Sequence, residues 1–477
     1  MKEPIIQINN FSGGMTLNEK MGREDQFHIG KGLDFFSKLG YLTAGYAWRN
    51  MSYNASESLP AQFPWMLFAN KDSKNYFGGD DNKIYRQKAD DNTVIELANT
   101  ALASIRGMAE YKDYLYYAQD TNLGRFNFDA TWTNNWQTLN TTTYHPMAVM
   151  ALKLWIGNGQ YVAMYDGTTW NNNVLDLDTG WAIRCLAPFG TFLAVGANFG
   201  NVKGKIFLWN RTDASWNEEI DIPENSVQAM IYYAGYLWIW AGTSANLYVV
   251  AEGTRKAVKI FSFVRENPQQ DLIVYPGAVA IRKGAIYFGL SNVDSTSKAK
   301  NPSGVYSFPY EPSEFKLNIP LRVSDYNEKI QGLAIMGTTN TLYVSYRNEV
   351  SVGAEYNNLK REKIIDESAP YSSTAEYESR QFRSPKNKKI LTEKCGITCD
   401  PLPAGVNLSL YYKKDNEADW TAIFSDFNTA NAIEKKVDKR IECFNIKFKL
   451  ELRGSITTSN RPFVESIYAT GDFIEKP

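Results

Sequence analysis

Two histidines, His28 and His145, are the only side chains in the chain that titrate near neutral pH unaided. A Ser-His-Asp or Cys-His centre needs one of them as a base, oriented by a third group and facing a nucleophile. His145 stands beside Pro146 inside a phrase that recurs along the chain, which assigns it to a core or channel-facing position. His28 stands in a polar stretch and reads as an ordinary surface residue. The cysteines are Cys185, Cys395, Cys399 and Cys443. Structural zinc asks for two close Cys pairs, or one pair and two histidines. Cys395-Gly396-Ile397-Thr398-Cys399 has only Cys443 nearby and no histidine, so buried free thiols are the better reading. At even spacing on one strand, Cys395 and Cys399 would share a face.

Other chemistries find equally little. Tyr165-Asp166-Gly167-Thr168-Thr169-Trp170 resembles the Asp-box turn of sialidase propellers, but that box keeps one residue between Asp and Gly, and here it occurs once. Asp-Gly between strands reads instead as a two-residue hairpin turn. Glycosidases need two carboxylates a few ångströms apart; the chain has 52 acids and none stands in such a motif. The run from Gly200 to Lys205 lacks the spacing and the Ser/Thr of a phosphate-binding loop. Lys386-Asn387-Lys388-Lys389 reads as a solvated turn. Trp132, Trp136, Trp170 and Trp216 suit sugar stacking, interfaces, or simply the capping of sheet ends. The expectation is therefore no catalytic residue, no metal ligand, no cofactor and no enzymatic activity.

The elements that would carry these residues come from a repeat. A short phrase, with Met, Leu or Val at its fourth position, recurs seven times: from Phe63, Ile105, Tyr144, Ile183, Val227, Pro276 and Ile330. Its fourth positions are Met66, Met108, Met147, Leu186, Met230, Val279 and Leu333, at steps of 42, 39, 39, 44, 49 and 54 residues. A second apolar run follows each copy and a third follows most, with Asn, Gly, Asp, Lys and Ser between. Such runs are strands of antiparallel meanders. A period near 40 to 50 is that of propeller blades. One four-stranded sheet cannot bury both its apolar faces, and a ring of them can. The small third residues (Gly107, Cys185, Ala229, Ala278, Gly332) suit innermost strands, where blades crowd. Pro146 suits this less well, and Trp65 makes the first copy the weakest.

From about residue 370 the period stops. Strand candidates at Thr374 to Phe382, Lys389 to Thr398, Val406 to Lys413, Trp420 to Ile423, Asn445 to Leu452 and Phe463 to Tyr468 suggest a small β-sandwich. The predicted architecture is all-β: an N-terminal arm (1–55), a β-propeller of about seven blades, six being possible (56–369), and a C-terminal β-sandwich (370–477). The sequence leaves open how the ring closes, by itself or with an N-terminal strand. The insertion from Ser291 to Ser303 reads as an exposed hairpin loop.

With 51 basic and 52 acidic residues, the chain has no electrostatic footprint for tight nucleic-acid binding. The longest apolar stretch, Met230 to Ala241, is too short to span a bilayer and has Gly235 at its middle. No signal-peptide core stands at the start, and the expectation is a soluble product of a reducing cytoplasm.

The arm carries an ordered series: Asn10-Phe11-Ser12-Gly13-Gly14, then Asp25-Gln26, Leu33-Asp34-Phe35, Gly40-Tyr41-Leu42 and Gly45. It resembles the opening of many virion proteins of tailed bacteriophages. Met15 replaces their usual Leu, and Thr43-Ala44-Gly45 replaces a basic-Pro-Gly. Softer likenesses lie near the other end: Leu408 to Tyr412, Asp419-Trp420-Thr421, Phe448 to Leu452 and Arg461-Pro462-Phe463. The resemblance implies a structural virion protein of the tail (nozzle, hub, conduit or DNA-retaining plug) that forms a ring and works through protein–protein contacts during DNA retention and ejection. The implied partners are copies of itself and other tail or portal-proximal proteins. Double-stranded DNA would pass without sequence-specific binding. There would be no membrane insertion, and assembly would take place in the host cytoplasm. The alternative is a receptor-binding, glycan-recognising propeller tail protein; a polysaccharide-degrading enzyme is a third class.

Overall fold

The computed structural model describes residues 4–475 apart from 10, 12–26, 36–37, 39, 54–59, 61, 89–92, 100–103, 130, 264–270, 283, 294–302, 313–316, 325–327, 349–357, 364–370 and 458. Asn10, Ser12-Gly13-Gly14, Met15, Asp25-Gln26 and most of the insertion after Ser291 lie outside the described residues. No α-helix occurs among the described residues.

Each of the seven phrases lies on a strand of one of seven successive sheets, antiparallel apart from one pairing made by the arm. Blade 1 spans 65–99, blade 2 107–138, blade 3 147–176, blade 4 181–221, blade 5 227–261, blade 6 271–324 and blade 7 328–362. In blades 2 to 5 the strands pair in chain order, as short hairpins dictate. The strand carrying each phrase touches the equivalent strand of the next blade, and that of blade 7 returns to that of blade 1. The ring is closed, and it is a β-propeller.

Packing at the axis explains the small third residues. A Cβ on Gly107 would lie 1.9 Å from the His145 carbonyl oxygen, and one on Gly332 2.1 Å from that of Phe63. Both obstacles are backbone of the neighbouring blade and cannot rotate away. Trp65 obeys the same constraint by exchange. It pairs with Gly78, whose missing Cβ leaves room for Met108 and Ile105 of blade 2, at 2.6 and 2.7 Å.

The ring is closed by the arm. Trp48–Asn50 forms the outer strand of blade 7, pairing Lys360 with Asn50, Arg361 with Arg49 and Glu362 with Trp48. Ser52–Tyr53 then runs parallel to the outer strand of blade 1. One stretch of chain thus covers an edge on each of the two blades that meet at the closure.

The C-terminal part holds two more sheets, and the arm enters both. Pro4–Ile8 pairs with Val464–Glu475, which continues to Lys388–Cys399 and Glu434–Cys443. Phe27–Lys31 pairs with Thr374–Ser379, beside Asn445–Gly454, Val406–Lys414 and Thr421–Phe427. Cys395, Ile397 and Ile467 of the first sheet share one apolar core with Leu408, Phe448 and Leu450 of the second. That core runs on into blades 5 and 6 through Leu317, Phe308 and Trp240. Glu434–Cys443 is a strand that the sequence pattern did not reveal. It lies at a sheet edge and carries seven charged residues in ten, which blunt an edge and mask the apolar period.

Candidate functional site

Two groups of side chains with chemical potential are the seams between the inner strands of the ring and the junction between propeller and C-terminal sheets; a third is the pair Glu376 and Glu378 on Thr374–Ser379, where burial and the neighbouring carboxylate push Glu378 up to about 7.

Each seam between blades has a polar staple. Ile105 N donates to Gly79 O at 3.0 Å and Ile183 N to Gly159 O at 2.8 Å. Side chains take over where the backbone does not reach: Val227 N donates to Asn198 Oδ1 (2.7 Å), Ile330 N to Ser291 Oγ (2.8 Å) and Phe63 N to Ser345 Oγ (2.8 Å). Gln228 ties blade 5 to blade 6. Its Nε2 donates to Gly242 O (2.6 Å) and Leu272 O (2.9 Å), and its Oε1 accepts from Val274 N (2.8 Å).

His145 is the staple between blades 2 and 3. It is fully buried, with Nδ1 2.8 Å from Gly157 O and Nε2 2.9 Å from Asp120 O. Burial pushes its pKa down, against the pull of the two carbonyls. With both ring nitrogens occupied by backbone, it has no free face for a substrate. His28 lies half-buried on Phe27–Lys31, in the C-terminal sheets and not in a catalytic pair with His145.

At the junction, a cavity of about 270 Å³ is lined by Asp34, Tyr46, Arg282, Tyr287, Asn318 and Glu362 among others. Its charges are spoken for. Arg282 holds Glu362 with both terminal nitrogens, one of them at 3.2 Å from Oε1, and reaches the Tyr287 hydroxyl at 3.3 Å. Burial works against the Arg282 charge, yet Glu362 and Tyr287 outweigh it and hold its pKa above the ordinary value. Arg461 donates to Asp34 Oδ2 at 2.6 Å and to Ala44 O at 2.6 and 2.9 Å, and lies over the Tyr371 ring. Tyr46 stacks on Tyr371 with centroids 5.2 Å apart. Burial, with Tyr371 beside it, raises the Tyr46 pKa, and burial raises that of Tyr287. Fixed arginine–carboxylate pairs bind two surfaces together; a base must instead be free to take a proton.

The remaining sequence candidates are dispersed. All four cysteines are buried free thiols; burial pushes Cys395 and Cys399 up to about 11 and Cys185 and Cys443 up to about 12. Among the described residues, no three His, Cys, Asp or Glu side chains cluster as metal ligands. Asp166 accepts from Thr168 N, Thr169 N and Thr168 Oγ1, each at 2.8 Å. Its loop has four residues, since Tyr165 pairs with Trp170; the two-residue turn was too short. Gly200-Asn201-Val202 is a plain hairpin tip between Phe199 and Lys203. Lys389 is paired with Glu442 at 2.7 Å.

The tryptophans are used internally. Trp132 stacks on Phe126 at 4.0 Å, and Trp216 meets Phe207 edge-on. Trp136 packs on Tyr165 at 4.7 Å and on Trp170 at 5.7 Å, and Arg125 lies between the Trp136 and Tyr114 rings.

No protein-family model matches the chain, and no curated protein matches it in sequence. Solved structures resemble it in fold. The WD40 repeats of RRP9 align over 66% of this chain and 96% of theirs, at 11% identity and a TM-score of 0.47. A chain of the mitotic checkpoint complex aligns over 67% and 94%, at 12% identity and 0.45. The β-propeller domain of Cps50 (Swd1) from Myceliophteria thermophila aligns over 66% and 99%, at 11% identity and 0.45. No helix among the described residues is long and apolar enough to cross a membrane.

Proposed function

We propose that this chain is a structural protein of a tailed-bacteriophage tail, a nozzle, hub, conduit or plug component that acts by assembling into a ring with copies of itself and with neighbouring tail proteins. One observation carries the reading. The two ends of the sequence resemblance, Leu33-Asp34-Phe35 in the arm and Arg461-Pro462-Phe463 near the far end, meet in space as the Asp34–Arg461 ion pair at 2.6 Å. The motif residues around them are mortar as well. Phe11 packs on Tyr377, Leu42 exchanges backbone hydrogen bonds with Val464, and Gly45 N donates to Gly32 O. Residues that recur for assembly should be spent on holding units rigid, and these are.

We read the two C-terminal sheets as a β-sandwich fixed to the side of blades 5 and 6. Its task, and that of the hairpin tips, is contact with neighbours. In this reading DNA passes through the larger opening that several copies enclose. A near-neutral chain suits such a wall, which must not hold phosphates by counterion release. His145 and the junction acids, Asp34 and Glu362, are engaged in holding elements together, which supports a structural reading.

The test is location and stoichiometry. Mass spectrometry of purified phage particles should find the protein at a fixed copy number equal to an axial symmetry, and electron microscopy of labelled particles should place it on the tail axis. Absence from particles, or a peripheral position with cell binding by the isolated protein, would overturn this reading; the second outcome would favour the receptor-binding alternative.

A further inference from the structure

The second residue of the repeated phrase sits where the inner strands converge on the axis. In three blades it is the extra residue of a β-bulge. Ile183 pairs with Ala197 and Cys185 with Gly196, which leaves Arg184 opposite nothing; Gln228 and Gln331 are bulged in the same way. A bulge re-aims its side chain out of the ladder.

The fates of these side chains differ. Gln228 and His145 are consumed by the seams, and Arg106 reaches Asp120 at 3.3 Å. Among the described residues, Arg184 has a ring beneath it and no acid. Its guanidinium carbon lies 3.5 Å from the centroid of Tyr144, and the groups that act on its charge are Tyr144, Cys185 and Tyr275, with no carboxylate among them. It is deep in the molecule yet keeps partial contact with solvent. An arginine does not deprotonate in proteins, so among the described residues this cation stands without a counter-charge, in a place where desolvation is costly. Tyr144 covers one face of the guanidinium through its π-system. The edge of the fork, with its in-plane N–H donors, is what remains to bind.

We propose that Arg184, lying on Tyr144 on the inner strand of blade 4, anchors an oxyanion site that takes a carboxylate or phosphate group in the plane of the guanidinium. Bidentate recognition of this kind is what the planar fork is shaped for. The oxyanion comes either as a free small anion or as an acidic group carried by a larger molecule. The site is independent of the proposed tail role and stands or falls separately.

The test uses the full chain at constant ionic strength held with chloride. Inorganic phosphate and acetate are titrated in separate arms, by calorimetry and by thermal unfolding. At least one arm should give saturable heat and a saturable rise in Tm, since a ligand that binds only the native state stabilises it. The arm that saturates at lower concentration identifies the preferred group, tetrahedral or planar. Arg184→Gln should abolish both signals, while Arg383→Gln, at an exposed arginine of the C-terminal sheets, should leave them unchanged. Tyr144→Leu, which keeps the cation and removes its platform, should weaken binding several-fold. No saturable heat in either arm with the unaltered chain, or an equal response in the Arg184→Gln protein, overturns the proposal.

Discussion

At the scale of single residues, the groups with reactive potential are the ones the fold has sealed. Each thiol is buried and has a pKa of about 11 or 12, so the thiolate that would react is almost absent at neutral pH. All four cysteines should resist a thiol reagent at pH 8 in the native protein and react together once it is unfolded. Labelling followed by mass spectrometry checks this, and fast native labelling of any one would contradict its burial. His145 gives a pH signature. Burial lowers its folded pKa below the ordinary 6.5, so the unfolded chain takes up a proton that the native state refuses. Its contribution to stability is therefore present above about pH 6.5 and falls away in acid. A neutral ring donates from one nitrogen only, with Arg106 and Asp120 as its charged neighbours. His145→Gln should cost roughly 1–3 kcal/mol at pH 7.5, from a buried carbonyl left unpaired, and the gap to the unaltered protein should narrow toward pH 5 in urea unfolding. A gap that widened in acid would mean that the two carbonyls hold the imidazolium.

At the scale of elements, the argument concerns backbone proximity. Gly107 and Gly332 each face a carbonyl of the next blade within about 2 Å of where a Cβ would stand, whereas a Cβ on Gly200 would meet nothing within 4 Å. Gly200→Ala should cost on the order of 1 kcal/mol, for its left-handed φ of 54° alone. Gly107→Ala and Gly332→Ala should cost more than about 3 kcal/mol or prevent folding, because a blade has to move; parallel denaturation curves separate the two classes. These positions also mark what was legible. The seven phrases, their period and the small third residues were readable because an inner strand meets its neighbour's backbone, which fixes a small residue at the point of contact. Trp65 looked wrong only because the compensating Gly78 is on another strand. The outer strand of blade 7 and the edge strand Glu434–Cys443 were hidden, since their partners are far away in sequence or their outward charges break the apolar pattern. The junction cavity was invisible for the same reason. Arg282 and Glu362 are 80 residues apart, and Asp34 and Arg461 are 427 apart. The bulge at Arg184 could have been suspected from the polar second residues of the phrase (Arg106, His145, Arg184, Gln228, Gln331), a row that has no place inside a dry core.

At the scale of the molecule, arm, ring and C-terminal sheets are one construction. The Asp34 and Arg461 side chains are only 15% and 9% exposed, so removing one leaves the other charged and confined. Asp34→Ala should lower stability by about 3–5 kcal/mol, and replacing both by apolar residues of similar size should recover much of that loss. Equilibrium unfolding of the single and double variants checks this; equal losses in both would mean that shape, and not charge, holds the junction. The pairing of Pro4–Ile8 with Val464–Glu475 has a further consequence, in biosynthesis. At about 5–20 residues added per second, roughly 20–90 s separate the translation of those two strands. Throughout that interval the leader strand waits on the ribosome surface without a mate, while the early blades stack as they emerge. Blade 7 recruits Trp48–Asn50 only afterwards, and the two C-terminal sheets zip last. A chain that stops short of Val464 therefore keeps Pro4–Ile8 as a bare strand edge, which is open to proteolysis and to pairing with other chains.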